Sequence, residues 1–276
     1  MVEGIIGSGK TTTARWLHEF LQTHEIASQL FLEGDLNHPA DYEYTAWFDA
    51  SEWTMLLASY PEHLATIQEL RQPCDIGGYL VEYGKAEQSL SDRLPAKLYE
   101  YFASKSVYDG TPLEIHQRLV SNRWHHFTQS QLAAEVVTIF ECCFLQNPLM
   151  KFVVQHGVES AALASHLMGI SKDLLPLNPV VIYLSPSNVE QTLARAIQER
   201  SSQWLEAVIR YHADQSYGKA HGLHGLDGLV EFLAVRQTLE KGILSKLPVR
   251  TVVVDAEVST VRWPRLESLL SEWYKV

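Results

Sequence analysis

The residues with the clearest chemical pattern lie near the start of the chain, in Gly4-Ile5-Ile6-Gly7-Ser8-Gly9-Lys10-Thr11. This stretch, which we call the glycine loop, fits the phosphate-binding pattern G-x-x-x-x-G-K-[ST]. Glycines let a backbone turn so that successive N–H groups point into one concavity and bind phosphate oxygens. The predicted nucleotide-binding residues are the glycine and polar positions of the loop and the residue after it: Gly4, Gly7, Ser8, Gly9, Lys10, Thr11 and Thr12.

Two side chains at the end of the glycine loop suit a magnesium-bound nucleotide. Lys10 would bring a positive charge to the outer phosphates, and the Thr11 hydroxyl can ligate the metal ion. Glu141 follows an apolar run, and an acid there suits a magnesium-bound water beside the phosphates. The alternative for Glu141 is a strand-end carboxylate that only caps the next helix. The sequence therefore predicts ATP and Mg²⁺, with Thr11 and Glu141 as the metal-binding residues.

A pair of acids, Glu33 and Asp35, follows the apolar run at residues 30–32, the second predicted strand, and could take the proton of an acceptor hydroxyl. Strand alternation would put both carboxylates on one side, so either could serve, with a slight preference for Asp35. The alternative is that Asp35 begins a turn and bonds its own backbone.

Arg195 and Arg200 lie on a predicted helix that begins after Asn188, a plausible N-cap. Their guanidinium groups could stabilise the charge of a phosphoryl group during its transfer. The alternative is a solvated helix face on which Arg195 pairs with Glu199. The predicted catalytic set is therefore Lys10, Asp35, Glu33, Arg195 and Arg200.

The secondary structure predicted around these residues alternates between β-strands and α-helices. Apolar runs at residues 30–32, 136–140, 180–184 and 249–254 are short, continuous and rich in β-branched residues, which is typical of strands buried on both faces. Helical stretches between them predict a parallel sheet with helices on both sides, whose ligands bind at the carboxyl ends of the strands. Only residues 1–3 are available for a strand before the glycine loop, unless residues that precede Met1 complete it.

The connection from Asp35 to Val136 is much too long for one crossover. Helical patterns within it predict a helical insertion at about residues 40–132 inside a single domain of residues 1–276. The Gly- and His-rich stretch from Asp214 to Leu229 reads as a loop, and a lid is predicted at about residues 195–228. The insertion and the segment around residues 201–228 would form the lid and the site for a small-molecule phosphoryl acceptor. Four aromatic residues could line an apolar acceptor pocket, with an ordinary core as the alternative: Trp47, Phe48, Trp53 and Trp124.

The net charge, the cysteines and the lengths of the apolar runs argue against several classes of binding partner and location. The net charge of −11 argues against nucleic-acid and anionic-membrane surfaces, which need a basic footprint. The three cysteines form no disulfide framework and have no zinc spacing. No apolar run reaches the roughly 18 residues of a membrane span, and no signal peptide is visible. We expect a cytoplasmic protein with reduced thiols.

The glycine loop with Thr12, the acids after the second and third strands, and the arginine-bearing helix together resemble the P-loop nucleoside and nucleotide kinases. The chain is most similar to thymidylate kinases and deoxynucleoside kinases, near an uncharacterised bacterial group of P-loop kinases. The resemblance implies an α/β, three-layer P-loop NTPase fold with a five-stranded parallel sheet in the order 2-3-1-4-5. It also implies a lid that carries Arg195 and Arg200, and a loop at Asp255-Ala256-Glu257 near the adenine. A homodimer is compatible with this family.

One departure bears on the acceptor: Cys142 follows Glu141 where these kinases usually have an arginine, so a nucleotide acceptor is not implied. The sequence predicts a transferase, an ATP-dependent kinase that moves the γ-phosphoryl group to a hydroxyl or phosphate of a small molecule. The alternatives are an NTP-hydrolysing switch and a nucleotide-binding protein without catalysis.

Overall fold

A computed structural model describes residues 1–90, 93–256 and 259–275 of the chain, with only the backbone at 259–261. The chain forms two compact units. The first unit comprises Met1–Glu33 and Ser130–Val276, and the second comprises Gly34–Gln129.

The helices and strands are numbered here in chain order. The strands are β1 (Val2–Gly4), β2 (Ser28–Phe31), β3 (Ala46–Phe48), β4 (Gln72–Pro73), β5 (Tyr79–Val81), β6 (Val137–Phe140), β7 (Val180–Ser185) and β8 (Arg250–Asp255). The α-helices are α1 (Lys10–Thr23), α2 (Ala50–Ser59), α3 (Leu64–Glu69), α4 (Tyr83–Leu90), α5 (Ala96–Ser104), α6 (Leu113–Gln131), α7 (Gln146–Leu149), α8 (Ser160–Leu174), α9 (Val189–Gln198), α10 (Ser202–Ala213), α11 (Ser216–His221), α12 (Gly225–Leu244) and α13 (Ser259–Tyr274). A π-helical turn at Met150–Gln155 continues α7, and short 3₁₀ turns lie at Pro61–His63 and Leu175–Leu177.

The four apolar runs of the first unit form strands β2, β6, β7 and β8, each within two residues of its predicted ends. Short continuous apolar runs are typical of such strands, and those of β6, β7 and β8 are also rich in β-branched residues. The strand before the glycine loop is β1, which has three residues.

The predicted five-stranded parallel sheet in the order 2-3-1-4-5 is wrong, and so is the three-layer architecture built on it. The α/β fold instead contains small separate sheets: three parallel strands in the order β1-β7-β8, and the parallel pair β2-β6. Val2 and Glu141 form an isolated parallel bridge outside both ladders. The physical reason is length, because β6 ends at Phe140 before this bridge and β1 is too short to extend a ladder beside it.

The core of the first unit lies between its parallel strands and the helices α1 and α13. One face of α1 contributes Ala14, Leu17 and Leu21, at the helical spacing expected for a buried stripe. Removal of these side chains from water stabilises the unit and fixes the start of α1 next to the strand ends. The strands and α13 contribute the other buried members of this cluster: Val2, Ile139, Ile182, Leu184, Val252, Val254, Ala256, Leu266 and Leu270.

The second unit contains strands as well as the helices that the sequence predicted for this region. It contains a three-stranded antiparallel sheet in the order β3-β5-β4, together with α2 to α5 and most of α6. These strands have two or three residues each, too few for an alternating pattern to stand out. The aromatic residues proposed for an acceptor pocket include Phe48, Trp53 and Trp124, which are buried in the core of this unit.

The Gly- and His-rich stretch from Asp214 to Leu229 is largely helical, contrary to the predicted loop. It contains α11 and the start of α12, with Gly222 in a left-handed conformation (φ 66°) between them. The glycines end and begin helices here rather than form an open loop. Among the described residues, no helix is both long enough and apolar enough to cross a membrane.

Candidate functional site

The glycine loop connects β1 to α1 and has a conformation that its glycines make possible. Gly7 has a φ of 78°, and a Cβ atom there would lie 2.7 Å from the Thr192 carbonyl oxygen. Gly9 has a φ of 86° and immediately precedes α1, whose first residue is Lys10. Neither position accepts an ordinary side chain without strain. The backbone N–H groups at the start of α1 have no partner within the helix and lie next to the loop. This arrangement favours the binding of an anion there.

Lys10, Thr11 and Glu141 are brought together at the start of α1. The Thr11 hydroxyl donates a 2.6 Å hydrogen bond to Glu141 Oε1, across 130 residues of sequence. The Lys10 side chain is buried, and its Nζ donates a 3.2 Å hydrogen bond to the Ile5 carbonyl oxygen inside the glycine loop. Glu141 is buried directly after β6. The side chains of Lys10, Thr11 and Glu141 therefore lie together at the first turn of α1.

Glu33 joins this group from the end of β2. Ligand atoms of Glu33, Glu141 and Cys142 all lie within 4.8 Å of one another. Burial raises the pKa of the Cys142 thiol well above its ordinary value, so the thiol stays protonated at neutral pH. The Glu141 carboxylate and the Thr11 hydroxyl offer the hard oxygen donors that Mg²⁺ prefers, and the Glu33 carboxylate lies beside them. The donor set therefore fits magnesium better than a thiolate-binding metal.

A cavity of about 640 Å³ opens beside these residues, within the size range of small-ligand sites. All of the described residues that line it belong to the first unit. Cationic groups from three different helices face anionic groups from two strand ends. The lining includes Lys10, Arg195, Arg200, Arg262, Glu33, Glu141, Glu199, Gln146, Asn147, Met150, Trp204, Tyr211 and His212, with residues 6–12 of the glycine loop and its successor.

The two predicted lid arginines both line this cavity. Arg195 lies in α9, which is capped by the Asn188 side chain as expected, and its Nη2 donates a 3.3 Å hydrogen bond to Thr192 Oγ1. The Arg200 guanidinium carbon lies 4.5 Å from the centre of the Trp204 ring. Both arginine side chains are exposed on the cavity side, so their charges are available to a ligand.

Arg262 is a cavity residue that the sequence analysis missed. It lies in α13 and is buried, and its Nη1 is 2.8 Å from the position that a Gly9 Cβ atom would take. Burial lowers the pKa of this guanidinium, as does nearby Arg195, while Asp255 raises it. Arginine stays charged in any case, so a third guanidinium faces the glycine loop. No motif marks Arg262 in the sequence.

His212 is a second cavity residue that the sequence did not indicate. Burial, followed by the charge of Arg236, lowers the pKa of His212 to about 3, so the ring is neutral at physiological pH. Its Nδ1 lies 2.8 Å from the Val208 carbonyl oxygen and must carry the ring proton. The other ring nitrogen, Nε2, is therefore a fixed hydrogen-bond acceptor.

Asp35, the other predicted base, belongs to the second unit. Its carboxylate accepts a 2.8 Å hydrogen bond from the backbone N–H of Asn37, and its carbonyl accepts one from His38. This is the local turn that the sequence analysis kept as the alternative. Of the predicted adenine loop, Ala256 lines the cavity and Asp255 ends β8, whereas Glu257 lies outside the described residues.

Comparisons with known proteins do not assign the chain to a family. A scan against protein-family models finds no match to the chain, and a search of curated protein sequences finds no significant match. The side chains of the cavity therefore provide the indication of function.

Proposed function

We propose that the protein is an ATP-dependent kinase that phosphorylates a small molecule in the cavity beside the glycine loop. The observation that carries the proposal is the 2.6 Å hydrogen bond between Thr11 and Glu141, next to Lys10. A hydroxyl and an acid joined in this way, at the first turn of a helix that follows a glycine loop, match the needs of a magnesium-bound triphosphate. The kinase resemblance of the sequence points to the same chemistry.

The glycine loop and Lys10 would hold the phosphates of ATP through backbone N–H groups and one ammonium charge. Thr11 and Glu141 would hold Mg²⁺, which supplies charge neutralisation on the phosphate oxygens. Arg195, Arg200 and Arg262 would compensate the charge that spreads over the transferred group. Their positions around the cavity would also exclude water, which competes with the acceptor for the phosphoryl group.

Glu33 is the carboxylate best suited to act as the base. In the transfer, the acceptor oxygen forms a bond to the γ-phosphorus while the bond from that phosphorus to the β,γ-bridging oxygen breaks. The acceptor hydroxyl proton passes to Glu33, and ADP leaves. We prefer Glu33 to Asp35 because Glu33 lines the cavity and Asp35 closes a turn.

The acceptor would be a small hydroxyl-bearing molecule with an apolar or planar part. The cavity wall formed by Trp204, Tyr211 and Met150 suits such a part, and His212 Nε2 can accept a hydrogen bond from it. No arginine follows Glu141, so a phosphorylated acceptor has less support than an uncharged one. We place this activity in the cytoplasm, where ATP is available and the cysteines stay reduced.

The test is to measure ATP-analogue binding by calorimetry and ATP turnover with an acceptor library, for the wild type and Lys10→Ala. We expect the Lys10→Ala variant to lose turnover by on the order of 10²–10³-fold, because one preorganised charge on the transferred group is removed. Lys246→Ala is the matched control, since Lys246 is exposed and outside the cavity. Turnover without any acceptor would favour an NTP-hydrolysing switch, and binding without turnover would favour a non-catalytic nucleotide-binding protein.

A further inference from the structure

The side-chain amide of Gln146 joins Glu33 to a buried arginine. Gln146 Nε2 donates a 2.8 Å hydrogen bond to Glu33 Oε1, and Gln146 Oε1 accepts a 3.1 Å hydrogen bond from Arg236 Nη2. Arginine can only donate, so the amide has a single orientation, with its N–H groups towards Glu33. Gln146 lines the cavity at this point.

Arg236 is itself fixed by its surroundings. It is fully buried, and its Nε donates a 2.7 Å hydrogen bond to Glu240 Oε1. Tyr183 donates a 2.7 Å hydrogen bond to the other oxygen of Glu240. Arg236 Nη2 also lies 3.4 Å from the carbonyl oxygen of Gly4, the first residue of the glycine loop. A buried charge held by an ion pair cannot move without leaving its partner unpaired, so Arg236 provides a rigid support.

The backbone of Gln146 is held from another direction by Glu3. The Glu3 carboxylate is fully buried and accepts hydrogen bonds from three successive backbone N–H groups, those of Phe144, Leu145 and Gln146. The turn that carries Gln146 is therefore anchored to β1, the strand that leads into the glycine loop. Both the backbone and the amide of Gln146 have one defined position relative to that loop.

We propose that Gln146 is a positioning residue, which holds the Glu33 carboxylate in the cavity at a fixed distance from the glycine loop. Glu33 is exposed at the end of β2, and a free glutamate there would sample several side-chain rotamers. Supporting hydrogen bonds of this kind keep a reactive group within the narrow geometry that transfer requires. The catalytic consequence of this role depends on the proposed kinase function, whereas the positioning itself does not.

The first test is the Gln146→Met variant, which keeps the side-chain length but removes both amide contacts. We expect kcat for the phosphoryl transfer to fall by about 10–100-fold, while the KM for ATP and the Kd of a non-hydrolysable ATP analogue stay unchanged. Gln29→Met is the matched control, on an exposed site of β2. A rise in KM together with the loss of kcat would indicate damage to the glycine loop and would overturn the proposal.

A double-mutant cycle with Glu33→Gln shows whether the effect of Gln146 on kcat acts through Glu33 or is independent of it. If Gln146 acts through Glu33, the double variant loses little more than Glu33→Gln alone. Additive losses would contradict the proposal. Gln146→Asn, whose amide is one methylene too short to reach both partners, is the second variant if Gln146→Met does not fold.

Crystal structures of the wild type and Gln146→Met provide a measurement that needs no activity. We expect the Glu33 carboxylate to leave its position in the variant while Arg236 and the glycine loop stay in place. An unmoved Glu33 would overturn the proposal even if turnover falls. If the wild type transfers phosphate to no acceptor, the kinase function fails, and these structures still decide whether Gln146 positions Glu33.

Discussion

The two units of the chain use their polar side chains in different ways. In the first unit, polar groups from distant parts of the sequence meet beside the cavity, as in the pairs Thr11–Glu141 and Gln146–Arg236. In the second unit, several acids serve local structure instead: Asp49 forms a capping box with Glu52, and Asp35 closes a turn. Parallel strands bring carboxyl ends together from far apart in sequence, whereas turns and helix caps need only neighbours.

From this contrast we expect substitutions in the first unit to affect chemistry and substitutions in the second unit to affect stability. Polar groups held by long-range contacts in the first unit surround the cavity, so their loss should change turnover. The second unit has an aromatic core that includes Phe48, Trp53 and Phe102, so a change there should alter folding first. Three predictions test this contrast.

The largest expected effect is a difference in kcat between variants of Glu33 and Asp35, two acids that are close in sequence. Glu33→Gln removes the proposed base from the cavity, and kcat should fall by about 10²–10⁴-fold. Asp35→Asn should leave kcat unchanged, because asparagine can accept the same turn hydrogen bond from Asn37. Steady-state kinetics of both variants with the acceptor found in the screen would measure this. A large loss in Asp35→Asn with normal Glu33→Gln activity would reverse the assignment of the base.

Truncation of the second unit's core should cost stability without weakening nucleotide binding. Phe102 is fully buried, and Phe102→Ala should lower the free energy of unfolding by about 3–5 kcal/mol because it leaves a cavity. Denaturant titration would measure this, with Phe102→Leu as the milder comparison. The Kd for an ATP analogue, measured below the unfolding transition, should not change. An increase in Kd would show that the core of the second unit also contributes to nucleotide binding, contrary to this contrast.

The smallest effect concerns the buried Glu3 carboxyl and depends on pH. Burial is the main cause that raises the pKa of Glu3 to about 7, from an ordinary value of 4.5. Between these two values the folded chain keeps a proton that the unfolded chain has released, so stability falls as the pH rises from 4.5 to 7. The expected loss is up to about 3 kcal/mol, at 1.36 kcal/mol for each pH unit.

Urea titrations at pH 5 and pH 7.5 would measure this loss for the wild type. Glu3→Gln lacks the titrating group and is the control, so the stability of the wild type relative to the variant should decrease over the same range. An increase in relative stability with pH would mean that the three backbone hydrogen bonds lower the pKa of Glu3 more than burial raises it.

Strands and the glycine loop were predictable because their signals are local. Runs of β-branched residues specified β6, β7 and β8 almost to the residue, and the glycine spacing marked the turn into α1. The sheet order was not predictable, since it depends on which short strands form ladders, and β1 is too short to connect two of them continuously. The antiparallel strands of the second unit were missed for the same reason, because two or three residues carry no clear period.

The residue types that could bind a phosphate chain are readable from the sequence alone, because glycines, a lysine and a hydroxyl at fixed spacing act within one turn of backbone. Which distant groups join them depends on the folding of the whole unit. Glu33 faces the cavity while Asp35 closes a turn, and Gln146, Arg236 and Arg262 belong to no motif. Their contacts cross 90 residues or more of chain, and at that separation the packing of helices on strands decides which side chains meet.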